Sequence, residues 1–344
     1  MAILNFPNAA GQPTDGSFTY EDNGVLYSWD GYKWTANSEP GYDTRYVEVT
    51  GDTMTGDLTV PSLNGGPLAG LRNQLINGDF RVAQRSTSLT TGNGYKTCDR
   101  WYQESTSGNV QTKRRLGFGQ FALAIQLKDA TSSGESYIAQ GIELPLTGSN
   151  GQFVENSIWT VSFWSTVAPS GIGVAFRDSM TDFTTGDTCP VNTITVGETI
   201  DGYTHYSAQT TITSASATRT CLRIKLAYTA PVDAYITGCQ LEPGPVATPF
   251  EHRPEGLEMS LCQRYFQKST DSLRLFLANA APSTAKYISY FRPVTMRTAP
   301  TETGTLTAGT ISLKGTAESM IVSANSLNES SGSKLQDYTA DAEL

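Results

Sequence analysis

Apolar and polar positions alternate with a period of two over most of this chain, and Gly, Pro, Asn and Asp break the alternation at short intervals. That is the pattern of half-buried strands joined by turns. It is densest near the start. The stretch GVLYSWDGYKW, residues 24–34, places Tyr27, Trp29, Tyr32 and Trp34 within eight positions, and Asn23-Gly24 and Asp30-Gly31 both have the composition of two-residue hairpin turns. The expected element is a three-stranded meander over Ser17–Asp22, Val25–Trp29 and Tyr32–Thr35. Alternation across it puts Phe18, Tyr20, Val25, Tyr27, Trp29, Tyr32 and Trp34 on one face. So small a sheet has no second layer to cover that face. Phe18, Tyr20, Tyr27, Trp29, Tyr32 and Trp34 are therefore expected to dock on another protein or on a second copy, with packing on the chain's own later domain as the alternative. The flanks NFPNAAGQPTDG and TANSEPGYD have linker composition, which favours a detached segment over residues 1–43.

Residues 44–72 form a second pattern. TGD occurs at Thr50–Asp52 and again at Thr55–Asp57, and Val47, Val49, Leu58 and Val60 alternate with polar neighbours. Such a piece has no core of its own and is expected to bury these side chains by wrapping with other copies around one axis, as a neck. From 73 to 254, segments of five to nine alternating residues recur between turn signals, among them IWTVSFWSTV, YTHYSAQTTIT and TCLRIKLAYT, at the spacing of a β-sandwich. In IWTVSFWSTV, Trp159, Val161 and Phe163 share the core face and Trp164 points away from it. The segment at 255–268 changes period: Leu257, Leu261, Cys262 and Tyr265 recur at helical spacing after Pro254, with Arg264 and Lys268 closing it. Residues 269–344 return to strands and are expected to form a small C-terminal β-domain or an extension of the sandwich. The fold class is thus mainly β with one short helix, in a fibrous homo-oligomer.

Composition sharpens this. Only 17% of the 344 residues are charged and the net charge is −9, which disfavours nucleic acid as a partner. The five cysteines are widely spaced, with no CxxC, so neither a disulfide scaffold nor a metal cluster is expected and the thiols are expected to be free. No apolar run is long enough for a membrane-spanning helix. Met1 is not followed by a secretory pattern, so synthesis in a cytoplasm is expected.

Catalytic signatures are missing. The two histidines, His205 in YTHYS and His252 after Phe250, have no metal-ligand spacing and are expected to be structural. The loop RDSMTDFTTGD offers Asp178, Asp182 and Asp187, and paired acids are what glycoside hydrolysis needs, but an exposed acidic loop is more simply a solvated one. Sugar binding uses aromatic faces together with acids, amides and guanidiniums. The candidates are Trp164, Arg177, Asp178, Tyr203 and Tyr206, with Tyr203 and Tyr206 on opposite faces of one strand. Trp101 and Tyr102 in DRWY are expected to pack in the core.

Five stretches carry a resemblance. GDTMTGDLTV resembles the shaft element of bacteriophage tail-fibre proteins, and YSWDGYKWTA resembles the N-terminal segment of fibres from marine cyanobacterial phages. NQLINGDFRVAQR, CDRWY and ITGCQLEPGPVATPFEHRP resemble the ends of jelly-roll, galactose-binding-like carbohydrate-binding modules. The resemblance implies a virion protein that assembles as a homotrimer. It would attach to the phage tail or another virion protein by its N-terminus and adsorb to host polysaccharide or lipopolysaccharide. A virion adaptor or head-decoration fibre and a glycan-degrading tail spike are the alternatives. Related modules hold a structural calcium near NGDF, which would fall here on Asn77, Asp79, Gln240 and Glu242. Arg81 stands where the pattern has an acid, which argues against the ion. No other cofactor is implied.

Overall fold

The computed structural model describes residues 6–22, 25–36, 71–145, 149–179, 186–269, 273–275, 286–306, 310–325 and 333–343. The chain divides into two units, Met1–Thr59 and Val60–Leu344. Val47, Val49, Leu58 and Val60 of the expected neck, and Asp182 of the acidic loop, lie outside the described residues.

The first unit holds the expected meander, with antiparallel strands Thr19–Asp22, Val25–Trp29 and Trp34–Ala36. Its second turn differs from the expected one. Trp29 pairs with Trp34, so four residues, 30–33, make the connection. The cause is Asp30, whose carboxylate accepts the backbone N–H groups of Tyr32 (2.9 Å) and Lys33 (2.8 Å) and builds a local side-chain turn. Tyr32 therefore leaves the aromatic face and stands at the tip, 93% exposed. A ring that sequence reasoning did not include takes part instead. Phe6 stacks on Trp34 (centroids 5.3 Å, planes 6° apart) and meets Tyr20 and Tyr27 edge-on. Phe6, Phe18, Tyr20, Tyr27, Trp29 and Trp34 are all half-buried. No hydrophobic residue is fully buried among the described residues of this unit.

The second unit is a β-sandwich extended by smaller sheets. One layer has seven strands in the order Thr195–Ile200, Tyr203–Thr211, Ile158–Ser165, Val232–Pro243, Leu123–Asp129, Gln111–Leu116 and Thr90–Thr91. The other has six: Asp187–Cys189, Gly171–Arg177, Cys221–Thr229, Glu135–Glu143, Tyr102–Ser105 and Gly94–Tyr95. All pairings are antiparallel. Alternation delivers Trp159, Val161 and Phe163 from one layer and Leu222, Ile224 and Leu226 from the other into one buried core, which also takes Trp101. All five cysteines are buried and free.

The chain enters this sandwich through an irregular stretch, residues 73–82, that is largely buried without being a strand. Its backbone groups lack a regular ladder; some pair with other backbone, as Gln74 N–H does with the Leu241 carbonyl and Cys239 N–H with the Gly78 carbonyl, and many of the rest find side-chain partners. Asn73 donates to the Cys239 carbonyl (3.0 Å) and accepts from the N–H groups of Leu75 and Leu241. Gln140 bonds both the N–H and the carbonyl of Ile76. Arg253 donates to the carbonyls of Asn73 and Leu75, and Glu258 accepts the Asn77 N–H. Gly78 lies so close to the Val232–Pro243 strand that a Cβ there would sit 2.1 Å from the Cys239 carbonyl oxygen.

The one helix among the described residues spans Glu255–Gln263. Its buried face is Glu258 and Cys262, while Leu257 is 39% exposed. Of the apolar positions expected to face inward, Cys262 and Tyr265 are buried and Leu261 is half-buried, but Leu257 is not; the Arg253–Glu258 ion pair at 3.4 Å seats that part of the helix instead. It ends at Gln263, and residues Phe266–Lys268 are already a strand, not part of a helical linker. That strand pairs with Ser333–Asp341, which also pairs with Thr301–Leu306 and Leu273–Leu275. A further sheet holds Lys286–Phe291, Ser319–Asn325 and Thr310–Gly315. Met296, Met320, Val322, Leu335 and Tyr338 give this C-terminal part its own core. It is joined to the sandwich by charges: Arg85 bonds Asp341 at 2.7 Å, and the fully buried Glu343 lies 3.7 Å from Arg85 and 3.6 Å from Arg100.

Glu258→Ala removes the nearer of Arg253's two carboxylates (Glu251 stays at 3.8 Å) and leaves the buried Asn77 N–H without its acceptor, and is expected to cost about 2–4 kcal/mol in urea unfolding of the full chain. Leu257→Ala is expected to cost less than about 1 kcal/mol. A larger loss for Leu257→Ala would show that the helix is seated on its leucine face after all.

Candidate functional site

The outer face of the seven-stranded sheet carries a groove. Thr160, Ser162 and Trp164 of the Ile158–Ser165 strand point to it, as do His205, Ser207 and Gln209 of Tyr203–Thr211; Trp164 pairs with His205, Ser162 with Ser207 and Thr160 with Gln209. The segment after Pro243 folds back across this face. Thr160 donates to the Gly244 carbonyl (2.7 Å), Gln209 to the Pro245 carbonyl (2.7 Å), and Glu242 accepts from the Thr248 N–H (2.7 Å) and hydroxyl. Residues 244–250 thereby form one wall of a groove whose other wall is the edge strand Thr195–Ile200.

Two adjoining cavities occupy the groove. One, of about 460 Å³, is lined by Asn192, Thr193, Thr195, His205, Ser207 and Gln209, with Pro245–Ala247 opposite. The other, of about 280 Å³, is lined by Gln120, Trp164, Glu198, His205, Gly238 and Phe250. His205 and Ala247 line both.

Two bulges meet at the junction of the cavities. Gly197 and Glu198 together oppose His205, and Gly238 and Cys239 together oppose Phe163, next to Trp164. An extra residue on one strand bends it and redirects its neighbours. Gly238 is required there: its φ is +62°, and a Cβ would lie 2.6 Å from the Phe121 ring and 3.0 Å from Trp164. The imidazole of His205 makes no hydrogen bond among the described residues and sits 5.1 Å from the Trp164 ring. Burial pushes its pKa below 6.5, against the opposing pull of Glu198 and Glu242. At neutral pH it is an uncharged ring with one donor and one acceptor nitrogen, suited to hydroxyl groups.

Trp164 does face away from the core, but it is only 8% exposed. Phe118, Phe121 and Tyr203 pack around it, Phe118 stacking on Tyr203 at 4.3 Å. It is a buried corner of the groove, not an open sugar platform. Tyr203 belongs to the same aromatic cluster, whereas Tyr206 lies in the sandwich core, 5.8 Å from Phe163. Arg177 and Asp178 lie at the end of a strand of the other sheet and are not brought to the groove. Asp178 accepts from Thr218 and Arg219, and Asp187 from Arg219 and the Ser216 N–H, which holds the Asp187 carboxyl well below the usual range. These two acids of the acidic loop clamp one guanidinium.

The calcium reading fails on the same ground. Asp79 is paired with Arg81, and Asn77 is committed to the Val82 N–H and to the carbonyls of Val82 and Asp99. Gln240 accepts from the Glu251 N–H and donates to Glu242, whose other partners are Thr248 and Arg72 (3.1 Å). An ion needing six or more oxygens would compete with hydrogen bonds that hold the fold, and no cluster of three or more metal-ligating His, Cys, Asp or Glu occurs among the described residues.

No protein-family model matches the sequence, and no curated protein matches it. Solved structures that are similar to it include the enzymatically active domain of tailspike protein 4 from bacteriophage CBA120, at 13% identity and a TM-score of 0.32, covering 52% of this chain and 22% of that one. TmCBM61, solved with β-1,4-galactotriose, is similar at 15% identity and a TM-score of 0.25, over 50% of this chain and 99% of its own. The CBM22-1 xylan-binding domain of Paenibacillus barcinonensis Xyn10C is similar at 13% identity and a TM-score of 0.27, over 48% and 99%. At these identities the similarity concerns the β-sandwich fold. The chain spans about a fifth of the tailspike chain's length.

Sequence reasoning set His205 aside as structural and did not include Thr193, Thr195, Glu198 or Ser207. Alternation in YTHYS does put His205 opposite the core face of Tyr206, which is the one signal that marked it. NMR titration of His205 is expected to give a midpoint below 6.5. Because its folded pKa is the lower one, the unfolded chain binds the proton more tightly, so this contribution to stability is complete above pH 6.5 and declines as pH falls below it. A midpoint above 6.5 would mean that Glu198 and Glu242 outweigh burial.

Proposed function

We propose that this chain is a subunit of a virion fibre and that it holds a cell-surface glycan, without cleaving it, in the groove between residues 193–198 and 244–250. The observation that carries the reading is the groove's lining. Hydroxyls of Thr193, Thr195 and Ser207, the carboxylate of Glu198 and an unbonded neutral imidazole line a trough ending at Phe250. Sugar hydroxyls ask for this mixture of donors and acceptors, and the ring at the end suits a C–H face. The resemblance of YSWDGYKWTA and GDTMTGDLTV to phage fibres supports the virion part. The half-buried rings of the first unit fit attachment to another virion protein, since among its described residues no hydrophobic side chain is fully buried. Assembly as a homotrimer would let shallow, weak sites act together, raising avidity by about 10²–10⁴-fold with no new contact.

The test is titration of the full chain with extracted host-surface polysaccharide and a neutral glycan array, comparing wild type with His205→Ala and Glu198→Gln. Each variant is expected to lose about tenfold in affinity for the glycan bound, equivalent to one or two hydrogen bonds, with the unfolding midpoint unchanged. Release of shortened glycan would point to a cleaving spike. Affinity unchanged in both variants would remove the groove from the account.

A further inference from the structure

We propose a second ligand site, in the cleft between the sandwich and the C-terminal sheet, that takes the anionic group of an acidic sugar. The inference rests on the glycan reading above for the nature of the ligand and on separate residues for its place. The cleft has a volume of about 330 Å³ and is lined by Arg85, Tyr95 and Lys96 from the sandwich and by Lys268, Thr303 and Thr339, among others, from the sheet.

Strand register builds its floor. Lys268, Thr339 and Thr303 lie side by side in one row, and Phe266, Asp341 and Thr301 in the next row on the same face. The Thr303 and Thr339 hydroxyls bond one another at 2.6 Å. The Arg85 guanidinium lies 3.8 Å over the Phe266 ring and 5.5 Å from Tyr95.

The charge balance decides the ligand. Arg85 is matched by Asp341 at 2.7 Å and by the buried Glu343 behind it at 3.7 Å. Lys96 and Lys268 are both exposed, and neither has a carboxylate within ion-pair distance among the described residues. Two uncompensated ammonium groups thus converge on one cleft in a chain of net charge −9. Ammonium groups on flexible stems bind anions as point charges. The cleft's volume stands at the low end of small-molecule sites, ~300–1,000 Å³, and exceeds what an inorganic anion fills. Threonine hydroxyls and the Tyr95 ring supply the surroundings for a sugar ring. A carboxylate-bearing sugar matches all three features, and it differs from the uncharged glycan expected in the groove, where Glu198 disfavours an anion.

The experiment uses the full chain and oligogalacturonate, with a neutral galacto-oligosaccharide and inorganic phosphate as the other arms. Wild type is expected to bind oligogalacturonate, more weakly as salt rises from 50 to 500 mM. The Lys96→Ala/Lys268→Ala double variant is expected to lose at least tenfold in that affinity and keep the wild-type unfolding midpoint. His205→Ala is expected to bind oligogalacturonate as wild type does. Equal affinity for the neutral oligosaccharide at this site, or unchanged oligogalacturonate binding by the lysine variant, would overturn the proposal, as would lysine-dependent binding of phosphate with none of the acidic sugar. Loss of neutral-glycan binding in His205→Ala concerns the groove alone, so the two readings fail separately.

Discussion

A largely buried stretch of chain that is neither helix nor strand cannot satisfy its own backbone by a regular ladder, and residues 73–82 are such a stretch. A few backbone bonds to neighbouring chain hold them, such as Gln74 N–H to the Leu241 carbonyl and Cys239 N–H to the Gly78 carbonyl, and side chains supply the rest: Asn73 and Asn77 within the stretch, Gln140 from the six-stranded sheet, Glu251 and Arg253 from the segment leading into the helix, and Glu258 from the helix itself. The requirement is severe because an unmatched buried N–H or carbonyl costs about as much as several kcal/mol of ordinary packing can offset. It ties the start of the sandwich to its end and fixes the course of the chain between Pro243 and Arg253.

That course is what makes a groove. Gln240, Glu242 and Thr248 form one hydrogen-bonded group, and Glu251 joins it to the opening strap through Gln240 and Asn73. Residues 244–250 are thus held across the outer face of the seven-stranded sheet instead of leaving it. The two bulges, at Gly197–Glu198 and at Gly238–Cys239, bring His205 and Trp164 to the floor between them. The same polar strap seats the helix through Glu258, and the helix delivers Phe266–Lys268 to the C-terminal sheet.

The strands, the sandwich, the meander and the single helix were legible from alternation and turn residues, because one buried face per strand leaves a period of two in the sequence. What escaped was whatever depends on a side chain bonding backbone. Asp30 remade a two-residue turn into four and moved Tyr32 off its face. Cys262 and Tyr265 of the helical stripe are buried as expected, but Glu258, a charged residue, takes the inward position that Leu257 does not. Asn77, Asp79, Gln240 and Glu242 looked like ligands because oxygen-rich side chains near a motif serve a cation or a backbone equally well, and only the partners distinguish the two. Parity placed Trp164 away from the core, yet periodicity along one strand says nothing of the Phe118 and Phe121 rings that cover it. Arg177 and Asp178 were joined to it by residue type, while topology put them on the other sheet.

Hydrogen–deuterium exchange of the full chain, with and without saturating surface glycan, tests the central claim most directly. Slowed exchange confined to residues 192–209 and 244–250 is the outcome this account predicts, since those segments form the two walls of the groove. Protection found only elsewhere on the sandwich, with both walls exchanging as in the free chain, would contradict it.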